Sequence, residues 1–352
     1  MTPRAIPRYD VAGFERLIEA SPHTLLSHPC IVQGFVDRWR ARTLWVDFDY
    51  LTAMFGHHEV TAGAPQFVTH RDAQMCQVKT DYGTYLKYVQ EQHLADTLFQ
   101  DSWIKGGPEQ LRDSGRPLYC GNLRLVRRAN DPLFDEVSPI LPAALRSLNN
   151  EIPYFYQCGN HLWLYVSAAG ALTPLHQDNN AVCAYLAQLA GRKEATLYSP
   201  EDKPHYHNAT VGYLDPLAPD EAQFPTWRKA QPWTASLMPG DLLLWGPQWA
   251  HHVVTSEQSV TVSFDFVTRD NLTAYARSKD WRFELGAFAR RHAPLIRERI
   301  NDSRVLEGLD AGDEAELGRA VMIAVLRSAV ERSSADRPET QTRRSLLSAL
   351  EG

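Results

Sequence analysis

Three kinds of feature are scarce in this sequence: paired cysteines, long apolar runs and an excess of positive charge. Its five cysteines are scattered, and no Cys-x-x-Cys pair occurs. This argues against a disulfide framework and a thiolate zinc site, and it favours a reducing compartment. No run approaches the roughly 18 apolar residues of a membrane helix, and the first residues lack the apolar core of a signal peptide. We therefore expect a cytoplasmic protein that does not enter a membrane.

The charge balance and the absence of repeats exclude further classes of protein. Lysine and arginine number 36 against 42 aspartate and glutamate, which gives a formal net charge of −6. Proteins that coat nucleic acids or membrane surfaces bind through clustered cations, so no nucleic-acid partner is expected. No fixed-period repeat or low-complexity block occurs, which excludes solenoids and propellers.

The chain has 352 residues, of which 44% are hydrophobic, and this is enough for a large core. Short β-type runs occur between residues 115 and 270, separated by turn signals such as Pro239-Gly240-Asp241. Many short strands with regular turns are typical of an antiparallel sandwich or barrel. The runs are Leu162 to Val166, Ala195 to Tyr198, Ala235 to Leu237, Leu242 to Trp245, His251 to Thr255 and Ser259 to Val267.

The two ends of the chain differ from this central part. Residues 1–114 contain an amphipathic helical pattern after Asp10, and we expect this region of helices and strands to pack on the core. Residues 271–352 are helical in pattern, apart from the polar stretch Arg332 to Arg344, which we expect to be mobile. The helical face from Val321 to Leu326 is apolar. It indicates either a homodimer interface or a cap on the open end of the barrel.

The most informative segment is Thr173-Pro-Leu-His176-Gln-Asp178. Residues two apart in a strand point to the same side, so the His176 imidazole and the Asp178 carboxylate can converge on one point. His251, at the start of a later predicted strand, offers a third ligand. If the barrel brings these strands together, two imidazoles and one carboxylate share a face and leave coordination positions open. This arrangement is typical of non-haem Fe(II) oxygenases, whose open positions take a co-substrate and O2.

Simpler interpretations of these residues stay open. A His-x-Asp pair is frequent by chance. The preceding Thr-Pro-Leu and the later Pro-Gly-Asp turn are the features that favour a ligand pair here. His252 points away from His251 in a regular strand, so only one of the two can be a ligand. His205 and His207 are also two residues apart, but the Pro and Asn around them predict an exposed loop and make this pair a minor rival site.

Four motifs follow one another in the central part of the chain. They are Thr173-Pro-Leu-His-Gln-Asp178, Ala187-Gln-Leu-Ala-Gly-Arg-Lys193-Glu-Ala-Thr-Leu-Tyr-Ser-Pro200, Met238-Pro-Gly-Asp241-Leu-Leu-Leu-Trp and Trp249-Ala-His251-His252-Val. Their order and content resemble the JmjC-type, cupin-8 group of Fe(II)/2-oxoglutarate-dependent oxygenases, in particular the factor-inhibiting-HIF type of asparaginyl hydroxylases.

The resemblance implies a fold that is mainly β with helices. Its core would be a double-stranded β-helix, the jelly-roll of cupins and JmjC domains, at residues 115–270. Residues 1–114 would form an α/β lead-in, and residues 271–352 a helical tail that forms a homodimer in the relatives.

The resemblance also implies the residues of an iron site and a co-substrate pocket. His176, Asp178 and His251 match the iron ligands, and Lys193 matches the lysine that holds the distal carboxylate of 2-oxoglutarate. A flexible ammonium at a strand end suits this role. Without the resemblance, a solvated strand-end lysine is the simpler interpretation of Lys193.

Further pocket residues are implied less directly. Thr173 matches the hydroxyl that assists the lysine, or it is a turn residue. Tyr119 matches the tyrosine that closes that end of the pocket, or it is a core aromatic. The spacing after Asp178 is two residues longer than in the relatives, so Asn180 or its neighbour Asn179 stands in for the asparagine that steadies the 1-carboxylate. Ser263 lies near where the family often has an asparagine.

The activity that the resemblance implies is hydroxylation of an unactivated C–H bond, with release of succinate and CO2. An Asp ligand accompanies hydroxylation in this family more often than demethylation. The expected substrate is an amino-acid side chain in a protein, a peptide or an amino-acid-derived compound; a small natural-product intermediate is an alternative. A metal cupin that works without 2-oxoglutarate, as an isomerase or dioxygenase, is the second alternative, and Lys193 distinguishes them because it would then have no anionic partner.

Overall fold

A computed structural model of the chain describes residues 2–65, 74–121, 123, 125, 133–145, 162–179, 181–268, 270–278, 280–332 and 338–351. The described residues fall into two compact units. The first lies within residues 1–145, 161–177 and 184–265, and the second within residues 178–183 and 266–352.

The first unit is built on two sheets of short strands. The strands are β1 Arg4–Ala5, β2 Arg8–Asp10, β3 Cys30–Gln33, β8 Leu162–Ser167, β9 Leu172–His176, β10 Cys183–Ala190, β11 Lys193–Tyr198, β14 Trp233–Leu237, β15 Asp241–Trp245, β16 Ala250–Thr255 and β17 Ser259–Phe266. One sheet has the order β1-β14-β11-β16-β9 and the other the order β2-β3-β15-β10-β17-β8.

From β8 to β17 the chain passes back and forth between these sheets. Within this range β11 pairs antiparallel with β14 and β16, β16 with β9, β10 with β15, and β17 with β8. This is the double-stranded β-helix that the resemblance implies. Each of the six predicted β-runs lies on an observed strand, with ends that differ by one or two residues.

The core of this barrel lies between the two sheets. Side chains of one sheet, such as Leu197 and Val253, pack with side chains of the other, such as Leu243 and Trp245. Alternate residues of each strand therefore face the interior, which is where a side chain must point to reach a common centre.

The first residues of the chain extend both sheets. β1 pairs in parallel with β14, so that Arg4 lies opposite Trp233. β2 pairs with β3, which in turn pairs with β15. The Arg8 guanidinium also donates to Asp241 Oδ2 at the start of β15, at a distance of 2.8 Å. The N-terminal segment is thus part of the barrel's edges.

The remaining elements of the first unit surround the barrel. The further strands are β4 Glu59–Pro65, β5 Gln74–Asp81, β6 Trp103–Lys105, β7 Tyr119–Cys120, β12 His207–Asn208 and β13 Gly212–Tyr213. Four of them form a sheet in the order β6-β5-β4-β7, and a two-stranded ribbon joins β12 to β13. The α-helices are Val11–Ala20, Thr24–Ser27, Ala41–Leu44, Phe48–Phe55, Tyr82–Gln90, Ala95–Leu98, Pro108–Ser114, Leu133–Glu136 and Lys203–Tyr206, and the 3-10 helices are Val36–Arg38, Gln92–Leu94, Pro200–Asp202 and Trp227–Lys229.

The predicted first helix is confirmed. Asp10 precedes it with an extended backbone, and its carboxylate accepts a hydrogen bond from the Gly13 N–H at 2.6 Å. This side chain satisfies one of the free N–H groups of the first turn, which is the role of an N-cap aspartate.

The second unit is helical. Its helices are Leu272–Arg277, Asp280–Arg291, Ala293–Arg299, Ser303–Ala311, Glu314–Glu331 and Pro338–Glu351. The apolar face from Val321 to Leu326 packs inside this unit's own core, against residues such as Leu285 and Leu346. The apolar pattern that suggested a dimer interface is therefore accounted for within the unit. Part of the stretch predicted to be mobile, from Pro338 on, is helical because Leu346 and Leu350 anchor it in that core. The predicted boundaries at residues 114 and 270 stay predictions.

The hairpin between β10 and β11 depends on Gly191. Its φ is +66°, and a Cβ there would lie 2.0 Å from the Gln258 carbonyl oxygen. Gly115 also has a positive φ, +60°, but open space surrounds its Cβ position. We expect Gly115→Ala to cost about 1 kcal/mol of unfolding free energy from the left-handed backbone alone. Gly191→Ala should cost about 3 kcal/mol or more, because steric overlap adds to it.

Urea or thermal unfolding of the two variants beside the wild type measures this difference. Equal losses for the two variants would show that the close approach to Gln258 does not constrain the hairpin.

Candidate metal and co-substrate site

Two of the candidate ligands lie directly opposite each other on neighbouring strands. In the antiparallel pair of β9 and β16, His176 is the partner of His251. Opposite residues of an antiparallel pair point to the same face, so their side chains meet. The two imidazole centroids are 4.1 Å apart.

An irregularity in this pairing brings a third side chain to the same face. Val253 pairs with Thr173, so β9 has one residue more than β16 between the two pairs. In a regular strand Thr173 and His176 would point to opposite faces, since they are three residues apart. The bulge, at Pro174 and Leu175, restores a common orientation.

Asp178 completes a group that can hold a metal ion. His176, Asp178 and His251 each offer a ligand atom, and these atoms all lie within 4.8 Å of one another. No other group of three or more His, Cys, Asp or Glu with such geometry occurs among the residues that the structure describes. The two histidines are buried and the aspartate is half-buried.

Backbone carbonyls orient both imidazoles. His176 Nδ1 lies 2.8 Å from the Pro174 carbonyl oxygen, and His251 Nδ1 lies 3.4 Å from that of Trp249. A carbonyl only accepts, so Nδ1 carries a proton, and a metal would bind these imidazoles through Nε2. The Trp245 ring packs on His251 with centroids 4.7 Å apart, and it limits rotation of that imidazole.

Lys193 is the most unusual charged side chain of the barrel interior. It begins β11 opposite Thr255, on the face that also carries Val253 and His251, and it is only 2% exposed. Among the described residues no carboxylate forms an ion pair with its ammonium. Burial lowers the pKa of Lys193 from 10.5 to about 7, since a buried ammonium loses its hydration.

Two tyrosine rings flank this ammonium. Lys193 Nζ lies 5.9 Å from the centroid of Tyr119 and 5.9 Å from that of Tyr165. The two rings are stacked on each other, 6.0 Å apart. Their faces stabilise a cation weakly, but they cannot neutralise it. The arrangement therefore suits an anion that would share the pocket with the lysine.

The other predicted pocket residues are placed as follows. Thr173 faces the interior by the register of β9 described above. Ser263 is buried on β17, opposite Trp163 and two residues from the partner of Tyr165. Asn180 lies outside the described residues. The structure thus brings Lys193, Tyr119 and Tyr165 within 6.0 Å of one another, and it places Thr173 and Ser263 on interior faces.

Two tyrosines that no sequence motif singles out hold the strand of Tyr119. The Tyr88 hydroxyl accepts from the Leu118 N–H at 2.9 Å, and the Tyr85 hydroxyl accepts from the Cys120 N–H at 3.1 Å. The Tyr85 hydroxyl also donates to the Val166 carbonyl at 2.8 Å. One hydroxyl thereby joins the strands of both rings that flank Lys193. The one sequence feature that points to these two tyrosines is their helical spacing on Tyr82–Gln90.

The rival histidines have other partners. His205 Nδ1 lies 2.9 Å from the Thr226 hydroxyl, and His207 packs edge-on against Tyr213. His252 pairs with Thr196 and faces away from His251, as predicted. Burial, Arg116 and His251 together lower the pKa of His252 to about 4, so it is neutral.

No helix in the described part of the chain has the length and apolarity needed to cross a membrane.

Several known proteins are similar to this chain. HSPB1-associated protein 1 of Homo sapiens is 34% identical over 115 residues, which cover 30% of this chain and 23% of that protein. Lysine-specific demethylase 8 of Xenopus tropicalis is 25% identical over 271 residues, 74% of this chain and 52% of that protein. The human protein named bifunctional peptidase and (3S)-lysyl hydroxylase JMJD7 is 23% identical over 279 residues, 68% of this chain and 77% of that protein.

The matched segments thus span about a quarter and about half of the first two relatives. The profile of the cupin-like domain matches residues 16–271. This match covers more than half of the chain and includes strands β3 to β17 and all three members of the His-Asp-His group. The chain belongs to the cupin-like domain family, in its JmjC type.

Proposed function

We propose that this chain is an Fe(II)- and 2-oxoglutarate-dependent oxygenase that hydroxylates an unactivated C–H bond. The observation that carries the proposal is the convergence of His176, Asp178 and His251 on one point in the barrel. The buried Lys193 supports 2-oxoglutarate as the co-substrate, because an isolated interior ammonium requires an anionic partner.

The donor set fits the proposed metal. Two imidazoles that offer Nε2 and one carboxylate form the facial triad of non-haem iron enzymes and leave positions for a bidentate co-substrate and O2. Bound iron would supply the oxidising chemistry, in which 2-oxoglutarate and O2 are converted to succinate and CO2 while a substrate C–H bond is hydroxylated. His176 and His251 are held for this role by their Nδ1 bonds to backbone carbonyls.

The chain's own residues would bind and orient the co-substrate. The Lys193 ammonium would pair with the distal carboxylate of 2-oxoglutarate, with the Thr173 hydroxyl and Tyr119 beside it. Since Lys193 is only 2% exposed, the pairing would be stronger than at a surface. Asn180 or Asn179 is proposed to steady the 1-carboxylate, and Ser263 is proposed to line the co-substrate pocket.

The proposed substrate is an amino-acid side chain in a protein, a peptide or an amino-acid-derived compound. The names of two similar proteins, a lysine-specific demethylase and a lysyl hydroxylase, support an amino-acid side chain. Asp178, rather than a glutamate, favours hydroxylation over demethylation by the family pattern given above. We also propose residues 115–270 as the catalytic domain. By the resemblance alone, we propose residues 271–352 as the region of a homodimer contact, through surfaces other than the face from Val321 to Leu326, which packs inside the unit.

The proposal is tested by anaerobic titration of the Fe(II)-loaded protein with 2-oxoglutarate. We expect the weak visible charge-transfer band of a 2-oxo acid chelated to iron. His251→Ala should abolish the band, because it removes a ligand, and Lys193→Ala should weaken it by lowering 2-oxoglutarate affinity. His252→Ala removes an imidazole of the same strand that faces away, so it is the matched control and should keep the band.

Metal binding without any band would contradict the oxygenase. It would favour a metal cupin that works without 2-oxoglutarate.

The pKa of Lys193 gives the binding of 2-oxoglutarate a pH dependence. Only the ammonium attracts the carboxylate, and with a pKa of about 7 its fraction falls from about one half at pH 7 to about one hundredth at pH 9. Affinity should therefore fall by up to about 50-fold over this range, with proton uptake on binding. Calorimetry in buffers of different ionisation enthalpy measures both.

Lys193→Arg is the control, since a guanidinium stays charged throughout. A wild-type affinity that does not change between pH 7 and 9 would contradict the role of Lys193.

The same burial should affect stability without ligand. Between a pH of about 7 and about 10 the unfolded chain holds a proton on Lys193 that the folded chain does not. The free energy of unfolding should therefore rise with pH in this window. Lys193→Met should remove this contribution and raise the unfolding temperature of the ligand-free protein at pH 7. Thermal unfolding of both proteins from pH 6 to 10 measures this pH dependence. If Lys193→Met unfolds at a lower temperature than the wild type at pH 7, the destabilising effect of the buried lysine is contradicted.

A further inference from the structure

The side chain between two of the candidate ligands has all of its hydrogen-bonding capacity in use. Gln177 Nε2 donates to the Gln248 carbonyl and, at 3.4 Å, to the Tyr206 hydroxyl. Its Oε1 accepts from Lys203 Nζ at 2.6 Å and from the Tyr213 hydroxyl at 3.2 Å. An amide offers two donor hydrogens and two acceptor lone pairs, so the Gln177 amide is fully satisfied.

The partners also fix which way the amide points. An ammonium can only donate, so Lys203 must face the oxygen, and a carbonyl can only accept, so Gln248 must face the nitrogen. The Tyr206 hydroxyl donates to the Ser199 carbonyl at 3.1 Å and is left as an acceptor for Gln177. No rotated amide would satisfy these four partners.

The nitrogen of this amide connects the two segments that carry the ligands. Gln177 itself lies between His176 and Asp178, and Gln248 lies three residues before His251. Gln248 has a φ of +64°, a left-handed backbone that is unfavourable for a residue with a Cβ. Its carbonyl is held in this conformation by the Gln177 amide.

The oxygen of the same amide connects the site to another part of the chain. Lys203 and Tyr213 belong to residues 199–232, which lie between β11 and β14 and which we call the insertion. The described insertion is built over the outer face of the sheet, where Tyr206 packs with Leu175 and Ala250. These two residues are the immediate neighbours, in sequence, of His176 and His251.

We propose that Gln177 is a positioning residue that fixes the candidate ligands relative to each other and couples their geometry to the insertion. The inference rests on the proposed function, because it concerns the metal site. A substrate that moves Lys203 or Tyr213 would release the oxygen side of the amide, and the constraint on His176, Asp178 and the Gln248 turn would change with it.

The test measures metal binding, without 2-oxoglutarate and without turnover. Co(II) is titrated into the metal-free protein, and its visible absorption reports affinity and coordination geometry. Gln177→Met keeps the length of the side chain and loses all four hydrogen bonds. Gln177→Glu keeps the acceptors for Lys203 and Tyr213 but cannot donate to the Gln248 carbonyl. Gln231→Met is the matched control, since the Gln231 amide donates to the Thr2 carbonyl at 2.9 Å.

We expect both Gln177 variants to bind Co(II) about 10- to 100-fold more weakly than the wild type, with a changed spectrum, as for other residues that orient metal ligands. Gln231→Met should bind as the wild type does. Lys203→Met should weaken binding in the wild-type background but have no further effect with Gln177→Met, because the two act through one contact.

The outcomes separate this inference from the proposed function. A wild-type chain that does not bind Co(II) would overturn the proposed function, and this inference with it. Normal metal binding by wild type and by Gln177→Glu alike, with the same spectrum, would overturn the positioning role alone. Equal effects of Lys203→Met in the two backgrounds would overturn the coupling to the insertion. If Gln177→Met does not fold, Gln177→Glu still decides the positioning role. Lys203→Met in the wild-type background then decides the coupling, since unchanged Co(II) affinity and spectrum in this variant would overturn it.

Discussion

The pairing of β9 with β16 is the constraint on which the candidate site depends. It sets His176 opposite His251, and its single irregularity turns Thr173 to the same face. Pro174 lies in this bulge. Since proline has no N–H, the interruption of the ladder leaves no donor unpaired at Pro174, and the Pro174 carbonyl is available to hold His176 Nδ1. One local distortion of a strand thus orients the ligand and aligns a pocket hydroxyl.

The second constraint is electrostatic. A lysine at the start of β11 would ordinarily extend to solvent, but the register of this strand directs Lys193 into the barrel, next to two tyrosine rings. An interior cation with no anionic partner among the described residues destabilises the fold, and functional sites are where such destabilisation is retained. The tyrosines of helix Tyr82–Gln90 limit this destabilisation indirectly. Their hydroxyls fix the strands that carry Tyr119 and Tyr165, and so they hold these two rings next to the ammonium.

The sequence predicts the barrel and the metal group well because both depend on local patterns. Alternating apolar runs and turn residues place the strands, and two histidines and an aspartate at strand ends form a combination typical of a metal site. The helix that begins at Val11 is also predicted from a local pattern, since Asp10 caps it. Family motifs then identify Lys193. Hydrophobic periodicity alone could not have predicted that this side chain is buried.

What the sequence does not predict depends on long-range contacts. β10 reads poorly as a strand because its alanines have low strand propensity, yet it lies at the centre of a sheet between β15 and β17, where small side chains fit. The Gln177 network joins residues that are up to 71 positions apart. The bulge in β9 follows from its pairing with β16, which lies far along the chain, and no local pattern contains that information.

The pairing of β1 with β14, and the contact of β2 with β15 through Arg8 and Asp241, have a consequence for the order in which the protein folds. Arg8 and Asp241, which join these regions, are 233 positions apart. At about 5 to 20 residues per second, a ribosome would complete the partner strands on the order of 10 to 45 seconds after making β1 and β2. The segment of the barrel that is made first is therefore among the last to find its place, and it closes the sheet edges only when the strands behind it have formed.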